Sequence, residues 1–126
     1  MKQIIAKKGW IEIPAHGSSM YPLIQDGNIC RFHPIQEKTI GIGDIILFHS
    51  TFGELIAHRL RAIIHQHNQC LYLCKGDANL GADELIEVKQ LIGVLYSIRK
   101  SKKDIYMTNL YVTLWKQIIL KLPLIS

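Results

Sequence analysis

The feature that most constrains the fold is a series of short apolar segments, each ended by a turn signal. NICRFHPI, GDIILF, LIAHRLRAIIH and CLYLCK follow one another, and QDGN, TFGE and HNQ separate or precede them. Segments of this length, bounded by Gly, Asn, Asp and Ser at roughly ten-residue spacing, are typical of β-strands. The pattern predicts a mainly β domain built from an antiparallel sheet.

The last part of the chain has a different period. We expect the β core to span about residues 9–98, starting with GWIEIP and ending with two short strands in LIEVKQLIGVLYSIRK. A basic segment and an amphipathic helix would follow over about residues 99–122, with the helix at 105–122 and ending near Pro123. Its apolar stripe either packs on the β domain or lies on a membrane or partner surface, and it comprises Leu110, Tyr111, Leu114, Trp115, Ile118 and Leu122.

Length and composition limit the protein class. A chain of 126 residues of which 48% are apolar suffices for a single domain with a core, here residues 1–126, and is too short for two. The N-terminal segment has only a three-residue apolar run, so we expect neither a signal peptide nor a transmembrane anchor there. A charged fraction of 20% is not that of a disordered tail.

The net charge of +5 is unevenly distributed. Residues 1–88 carry eight Lys and Arg against nine Asp and Glu, whereas residues 89–126 carry seven against one. A nucleic-acid binder usually spreads basic residues over a folded face, so we expect no nucleic-acid partner. A basic segment with apolar residues is better suited to a membrane surface or an acidic partner.

Three cysteines, an odd number, argue against a disulfide scaffold. Cys70 and Cys74, with His65 and His67 nearby, leave a zinc site as one alternative. Cys70, Tyr72 and Cys74 would share one face of a strand, and this favours packed thiols instead. We therefore expect no metal.

Three polar islands interrupt the apolar segments: GSSMYP, AHRL and KGDANLGAD. A serine among small residues can act as a nucleophile, and His58 can take up its proton. Asp77 or Asp83 can fix the histidine tautomer. Each island also has a plainer interpretation, namely a Ser-rich turn, a hydrogen-bonded strand histidine and a turn-forming aspartate.

Taken in order, the islands and strands resemble the type I signal peptidases, in particular the subgroup of the endoplasmic reticulum, archaea and spore-forming bacteria. The boxes of that family appear here as GSSMYP, DGNIC, GDIILF, AHRL, KGDANLGAD and IGVLY. The resemblance spans about residues 9–98. It implies a twisted antiparallel sheet coiled into a partial barrel, and acyl transfer by Ser, His and Asp without a cofactor.

Carried over box by box, the resemblance makes Ser19 the nucleophile, because it directly precedes Met20. His58 stands at the general-base position and Asp83 at that of the acid. Asp77 matches a second acidic position, and either aspartate remains open as the third member of the triad.

The oxyanion hole departs from the family pattern. Gly17 stands where the family often has a serine whose hydroxyl helps to bind the oxyanion. The hole would therefore rely on the backbone N–H of Ser19, aided by the hydroxyl of Ser18.

The resemblance implies a serine endopeptidase that removes a leader or pro-segment from a peptide or preprotein, such as a ribosomally made modified peptide. The membrane anchor of the family is missing here, so we expect a cytoplasmic enzyme that is free or peripheral at the inner membrane face. Two alternatives share the core: a non-catalytic module that binds a peptide by β-augmentation, and a self-cleaving repressor core. The latter has Lys at the position of His58.

Overall fold

A single antiparallel sheet forms the body of the protein, in a computed structural model that describes residues 2–36 and 39–124. The described chain is mainly β, as expected, and a helix follows the sheet. In chain order the elements are α1 (Lys2–Lys8), β1 (Ile11–Pro14), β2 (Ile29–Pro34), β3 (Ile45–His49), β4 (Leu55–Gln66), β5 (Gln69–Lys75), β6 (Ile86–Glu87), a 3₁₀ turn (Val88–Gln90), β7 (Leu91–Lys100), β8 (Lys103–Tyr106) and α2 (Leu110–Leu120).

The order of strands in the sheet is β1-β2-β7-β3-β4-β5-β6, and β8 pairs with β7 outside this path. The pairing starts at β1 and ends at β6, so the sheet is not closed into a barrel. Strand β7 lies between β2 and β3 and joins the N-terminal hairpin to the remaining strands.

The core lies on both faces of the sheet. Strand β3 shows this most clearly, because successive side chains of a strand point to opposite faces. Leu47 belongs to a cluster with Phe32 and Leu95, while its neighbour Ile46 belongs to a second cluster with Leu60. The run IILF is apolar at every position because both faces of β3 are covered.

The C-terminal helix is present but shorter than predicted, and the β core extends past residue 98. Strand β7 continues to Lys100, and Ser101, with a φ of 59°, turns the chain back into β8. The prediction of helix from residue 105 is therefore wrong at its N-terminal end. The helix starts after Asn109, whose side-chain oxygen accepts a hydrogen bond of 2.8 Å from the N–H of Tyr111.

The helix also packs by a different face from the one predicted. Val112 and Ile119 are buried, and Trp115 and Lys116 are half-buried. The residues of the predicted stripe other than Trp115 remain exposed: Leu110, Tyr111, Leu114, Ile118 and Leu122. The helix thus docks on the sheet and still presents an apolar stripe to solvent.

Helix α1 was not predicted, because seven residues are too few to show a helical period. Its Ile5 is buried and packs near Gly93 of β7. No helix within residues 2–36 and 39–124 has the length and apolar composition that crossing a bilayer requires.

Candidate active site

The structure brings Ser19, His58 and Asp83 into one hydrogen-bonded chain. The distance between Ser19 Oγ and His58 Nε2 is 3.0 Å. The distance between His58 Nδ1 and Asp83 Oδ2 is 2.5 Å. The three residues come from the β1–β2 connection, from β4 and from the β5–β6 connection. A hydroxyl, an imidazole and a carboxylate thus meet in the arrangement that nucleophilic catalysis by serine requires.

His58 is held by the sheet. It pairs with Ile46 of β3 in the antiparallel register, and its ring meets that of Phe48 edge-on at a centroid distance of 6.4 Å. The residue is only 7% exposed. Packing on one side and hydrogen bonds at both ring nitrogens fix the orientation of the imidazole.

The backbone of Ser19 is held by the KGDAN turn. The N–H of Ala78 donates to the carbonyl oxygen of Ser19 at 2.8 Å. Gly76 approaches the same oxygen so closely that a Cβ atom on it would lie 2.8 Å away, so the turn requires glycine there. The N–H of Asp77 lies 3.4 Å from Met20 Sδ. Two of the three polar islands are therefore joined through backbone contacts at the serine.

Asp83 lies at the end of the same connection. Its N–H donates to the carbonyl oxygen of Cys74 at 2.8 Å, and this bond closes the loop between β5 and β6. Its carboxylate is 22% exposed. The loop closure places the carboxylate beside His58, which lies on the strand next to β5.

Asp77 has another partner. Its carboxylate is fully buried and accepts two hydrogen bonds from the guanidinium of Arg59, at 2.9 and 2.8 Å. Of the two aspartates left open by the sequence, Asp83 contacts His58 and Asp77 contacts Arg59. The expectation that Asp77 mainly builds its turn missed this ion pair, although Arg59, directly after His58, was the signal available in the sequence.

An apolar cleft opens beside Ser19 and His58. Its volume is about 390 Å³. The β4–β5 pairing starts only at Arg59, so residues 55–58 pair with β3 alone among the described strands, and β1 pairs with β2 alone. The apolar residues that line the cleft are Ile13, Pro14, Ala15, Met20, Ile24, Cys30, Phe32, Leu47, Leu55, Ile56 and Ala57.

Ser18 does not line this cleft. It is exposed and borders a separate shallow depression with Gly17 and Tyr21. Its hydroxyl contacts neither Ser19 nor His58 among the described residues. Among the described residues, the Ser19 N–H donates no hydrogen bond.

The four residues of the zinc alternative do not come together. Cys74 is buried, and burial, with a smaller effect of the Asp83 charge, raises the pKa of its thiol to about 12. Cys70 Sγ lies 3.3 Å from His65 Nδ1, whereas His67 is exposed in a turn. Within residues 2–36 and 39–124, no group of three or more His, Cys, Asp or Glu side chains could hold a metal ion.

Comparison with known proteins assigns no family to this chain. No family model, curated protein or solved structure matches it. The interpretation of the site therefore depends on the contacts of Ser19, His58 and Asp83 and on the cleft beside them.

Proposed function

We propose that the protein is a serine endopeptidase with Ser19 as nucleophile, His58 as general base and Asp83 as the carboxylate that orients the imidazole. One observation carries the proposal: the hydrogen-bonded chain from Ser19 Oγ through His58 to Asp83 opens into an apolar cleft. Surface serines rarely meet a buried histidine that is itself oriented by a carboxylate, whereas catalytic triads require this arrangement.

In the proposed mechanism each group has a step. Ser19 Oγ attacks the scissile carbonyl carbon while its proton passes to His58 Nε2. The Ser19 N–H donates to the oxyanion that forms. The imidazolium returns the proton to the leaving amine, whose C–N bond breaks, and His58 then activates the water that hydrolyses the acyl-enzyme. Asp83 accepts the Nδ1–H throughout and stabilises the imidazolium.

The cleft supports an extended peptide as substrate. Strand β1 and residues 55–58 each have one edge without a strand partner among the described residues, so a peptide backbone can pair with either. Apolar side chains of that peptide would enter the cleft. A leader or pro-segment of a precursor peptide, cut in the cytoplasm or at the inner membrane face, fits this description. The resemblance to type I signal peptidases, with their partial-barrel core, supports the same proposal.

Labelling with a fluorophosphonate probe tests the proposal. We expect the intact protein to be labelled at Ser19, and Ser19→Ala to remain unlabelled. Ser18→Ala is the matched control, because its neighbouring hydroxyl lies outside the cleft. An unlabelled intact protein, or equal labelling of Ser19→Ala, would refute the peptidase.

A non-catalytic peptide-binding module is the second candidate, and the unpaired strand edges favour it equally. The same experiment separates the two, because a binding module would hold a leader peptide without being labelled or cutting it. A self-cleaving repressor core fits less well, since the base position holds His58.

We further propose that the exposed stripe of α2 contacts an anionic membrane surface. Leu110, Leu114 and Ile118 are more than half exposed. The helix lies within residues 89–126, which contain seven Lys and Arg residues but only one acidic residue, an Asp. Such a segment is attracted to anionic lipid, whereas a second copy would bring two basic segments together.

Flotation with vesicles that contain anionic lipid tests this contact. The intact protein should bind at low salt and dissociate at about 0.5 M salt, where charges are screened. Leu114→Glu should abolish binding. Leu80→Glu, at an exposed apolar residue in the β5–β6 connection, should not. Absence of binding at low salt, or a dimer that Leu114→Glu dissociates, would overturn the proposal.

A further inference from the structure

Helix α2 contacts the buried Arg59–Asp77 ion pair through the side chain of Trp115. Trp115 Nε1 donates to Asp77 Oδ2 at 3.1 Å, and the same oxygen accepts Arg59 at 2.8 Å. The side chains of Arg59 and Asp77 are 2% and 0% exposed. A residue of the last helix therefore provides the third hydrogen bond to a carboxylate that water does not reach.

The same helix covers the other end of the guanidinium. Arg59 donates to the carbonyl oxygen of Gly43 at 2.8 Å. The stem of Lys116 lies over Gly43 so closely that a Cβ atom there would be 2.7 Å from it. Trp115 and Lys116, which are consecutive in α2 and do not line the cleft, thus cover both ends of the Arg59–Asp77 pair.

Asp77 in turn belongs to the turn that holds the Ser19 backbone. Its neighbours Gly76 and Ala78 contact the Ser19 carbonyl oxygen, the latter by a hydrogen bond of 2.8 Å. The turn therefore connects the Asp77 carboxylate to the backbone that carries the Ser19 hydroxyl. A continuous series of contacts therefore runs from α2 to the serine.

We propose that Trp115 is a positioning residue for Ser19, acting through Asp77 and the 76–79 turn. This inference rests on the proposed peptidase function. Trp115 does not line the cleft and contacts neither Ser19 nor His58 among the described residues. Its loss should therefore lower kcat and leave KM nearly unchanged, because the serine is misplaced while the peptide-binding surface is intact.

The test uses Trp115→Phe, which keeps an aromatic ring and removes the N–H donor. Trp10→Phe is the matched control, because Trp10 lies against Arg31 at 4.2 Å and not at this ion pair. We expect the rate of fluorophosphonate labelling and kcat to fall about tenfold in Trp115→Phe, as for a hydrogen bond to a charged group. Trp10→Phe should keep both.

Hydrogen–deuterium exchange at the Ala78 amide provides a readout that does not require catalysis. Exchange should be faster in Trp115→Phe than in the intact protein and unchanged in Trp10→Phe. A lower melting temperature with unchanged labelling and unchanged Ala78 exchange would overturn the inference, since Trp115 would then only stabilise the fold. If the intact protein is not labelled at all, the proposed peptidase function is refuted. The inferred effect of Trp115 on catalysis is then refuted as well, regardless of the exchange rate at Ala78.

Discussion

Two adjacent residues of β4, His58 and Arg59, each meet a carboxylate from the same loop, but in opposite surroundings. His58 meets Asp83 on the side of the cleft, where the carboxylate is 22% exposed and Ser19 completes the contacts. Arg59 meets Asp77 outside the lining of the cleft, where the side chain of Asp77 is fully buried and Trp115 completes the contacts.

The two pairs differ in burial and in the chemistry that is open to them. A guanidinium stays protonated under all ordinary conditions, so the Arg59–Asp77 pair cannot relay a proton. An imidazole, in contrast, is a side chain that can act as a general base, which is the role that we propose for His58. The alternation of side chains along β4 keeps the two pairs on opposite faces.

The largest expected effect is the loss of cleavage rate when His58, which lines the cleft, is replaced. His58→Ala should lower the rate of peptide cleavage on the order of 10⁴- to 10⁶-fold, because it removes the proton acceptor of Ser19. Steady-state kinetics on a leader peptide measure it. His67→Ala is the control, since His67 is exposed in a turn and does not line the cleft. A loss of less than tenfold in His58→Ala would contradict the assignment.

The second effect separates the two aspartates by rate. Asp83→Asn should cut kcat roughly 10⁴-fold, because an amide no longer selects the tautomer that leaves Nε2 free to accept the serine proton. Thermal unfolding of this variant should change little, since its carboxylate is partly exposed. If Asp77→Asn instead loses the rate while keeping its stability, the assignment of the two pairs is reversed.

The third effect distinguishes Asp77 from Asp83 by the free energy of unfolding. Asp77→Asn should lower the free energy of unfolding by about 3–5 kcal/mol, because it leaves the buried charge of Arg59 without its counter-charge. Denaturant titration measures the change. Asp104→Asn is the matched control: its carboxylate pairs with Arg99 in an exposed position, so its unfolding should be nearly unchanged. Equal losses in the free energy of unfolding for Asp77→Asn and Asp104→Asn would contradict the expectation that the buried ion pair contributes more to stability than the exposed one.

The smallest effect concerns Cys74, which lies near Asp83. Burial raises the pKa of the Cys74 thiol to about 12, with a smaller contribution from the Asp83 charge. Below about pH 8.5 the thiol is neutral in the folded and the unfolded chain alike. Above it only the unfolded chain loses the proton, so stability falls with rising pH by up to about 1.4 kcal/mol per unit. Cys74→Ala should show a shallower alkaline loss in pH-dependent denaturation, and an unchanged slope would contradict this.

The strands could be predicted because short-range patterns encode them, whereas Ser19 and Asp83 are singled out within their polar islands only by the resemblance to type I signal peptidases. Turn residues mark where β2 to β5 begin and end, and their bounds agree with the expected segments within a few residues. The serine, histidine and aspartate belong to islands that interrupt apolar segments. Their mutual contacts, however, depend on the sheet register that places residues 19, 58 and 83 side by side.

The missed features depend on contacts between distant parts of the chain. The face by which α2 docks is set by Val112 and Ile119, although the stronger apolar stripe lies elsewhere on the helix. Its periodicity identifies a helix but does not say which face meets the sheet. The Trp115–Asp77 hydrogen bond is likewise absent from any local pattern, because the partners are joined only by the docking of α2.

The position of β7 has a consequence for synthesis of the protein. Ser19 lies in the connection of the β1–β2 hairpin. In the order of paired strands, β7 and β3 lie between this hairpin and β4, the strand that carries His58. A nascent chain emerges N-terminus first, so β1, β2 and β4 are synthesised before residues 91–100, which join them in the sheet. We therefore expect Ser19 and His58 to come together only after β7 has been synthesised.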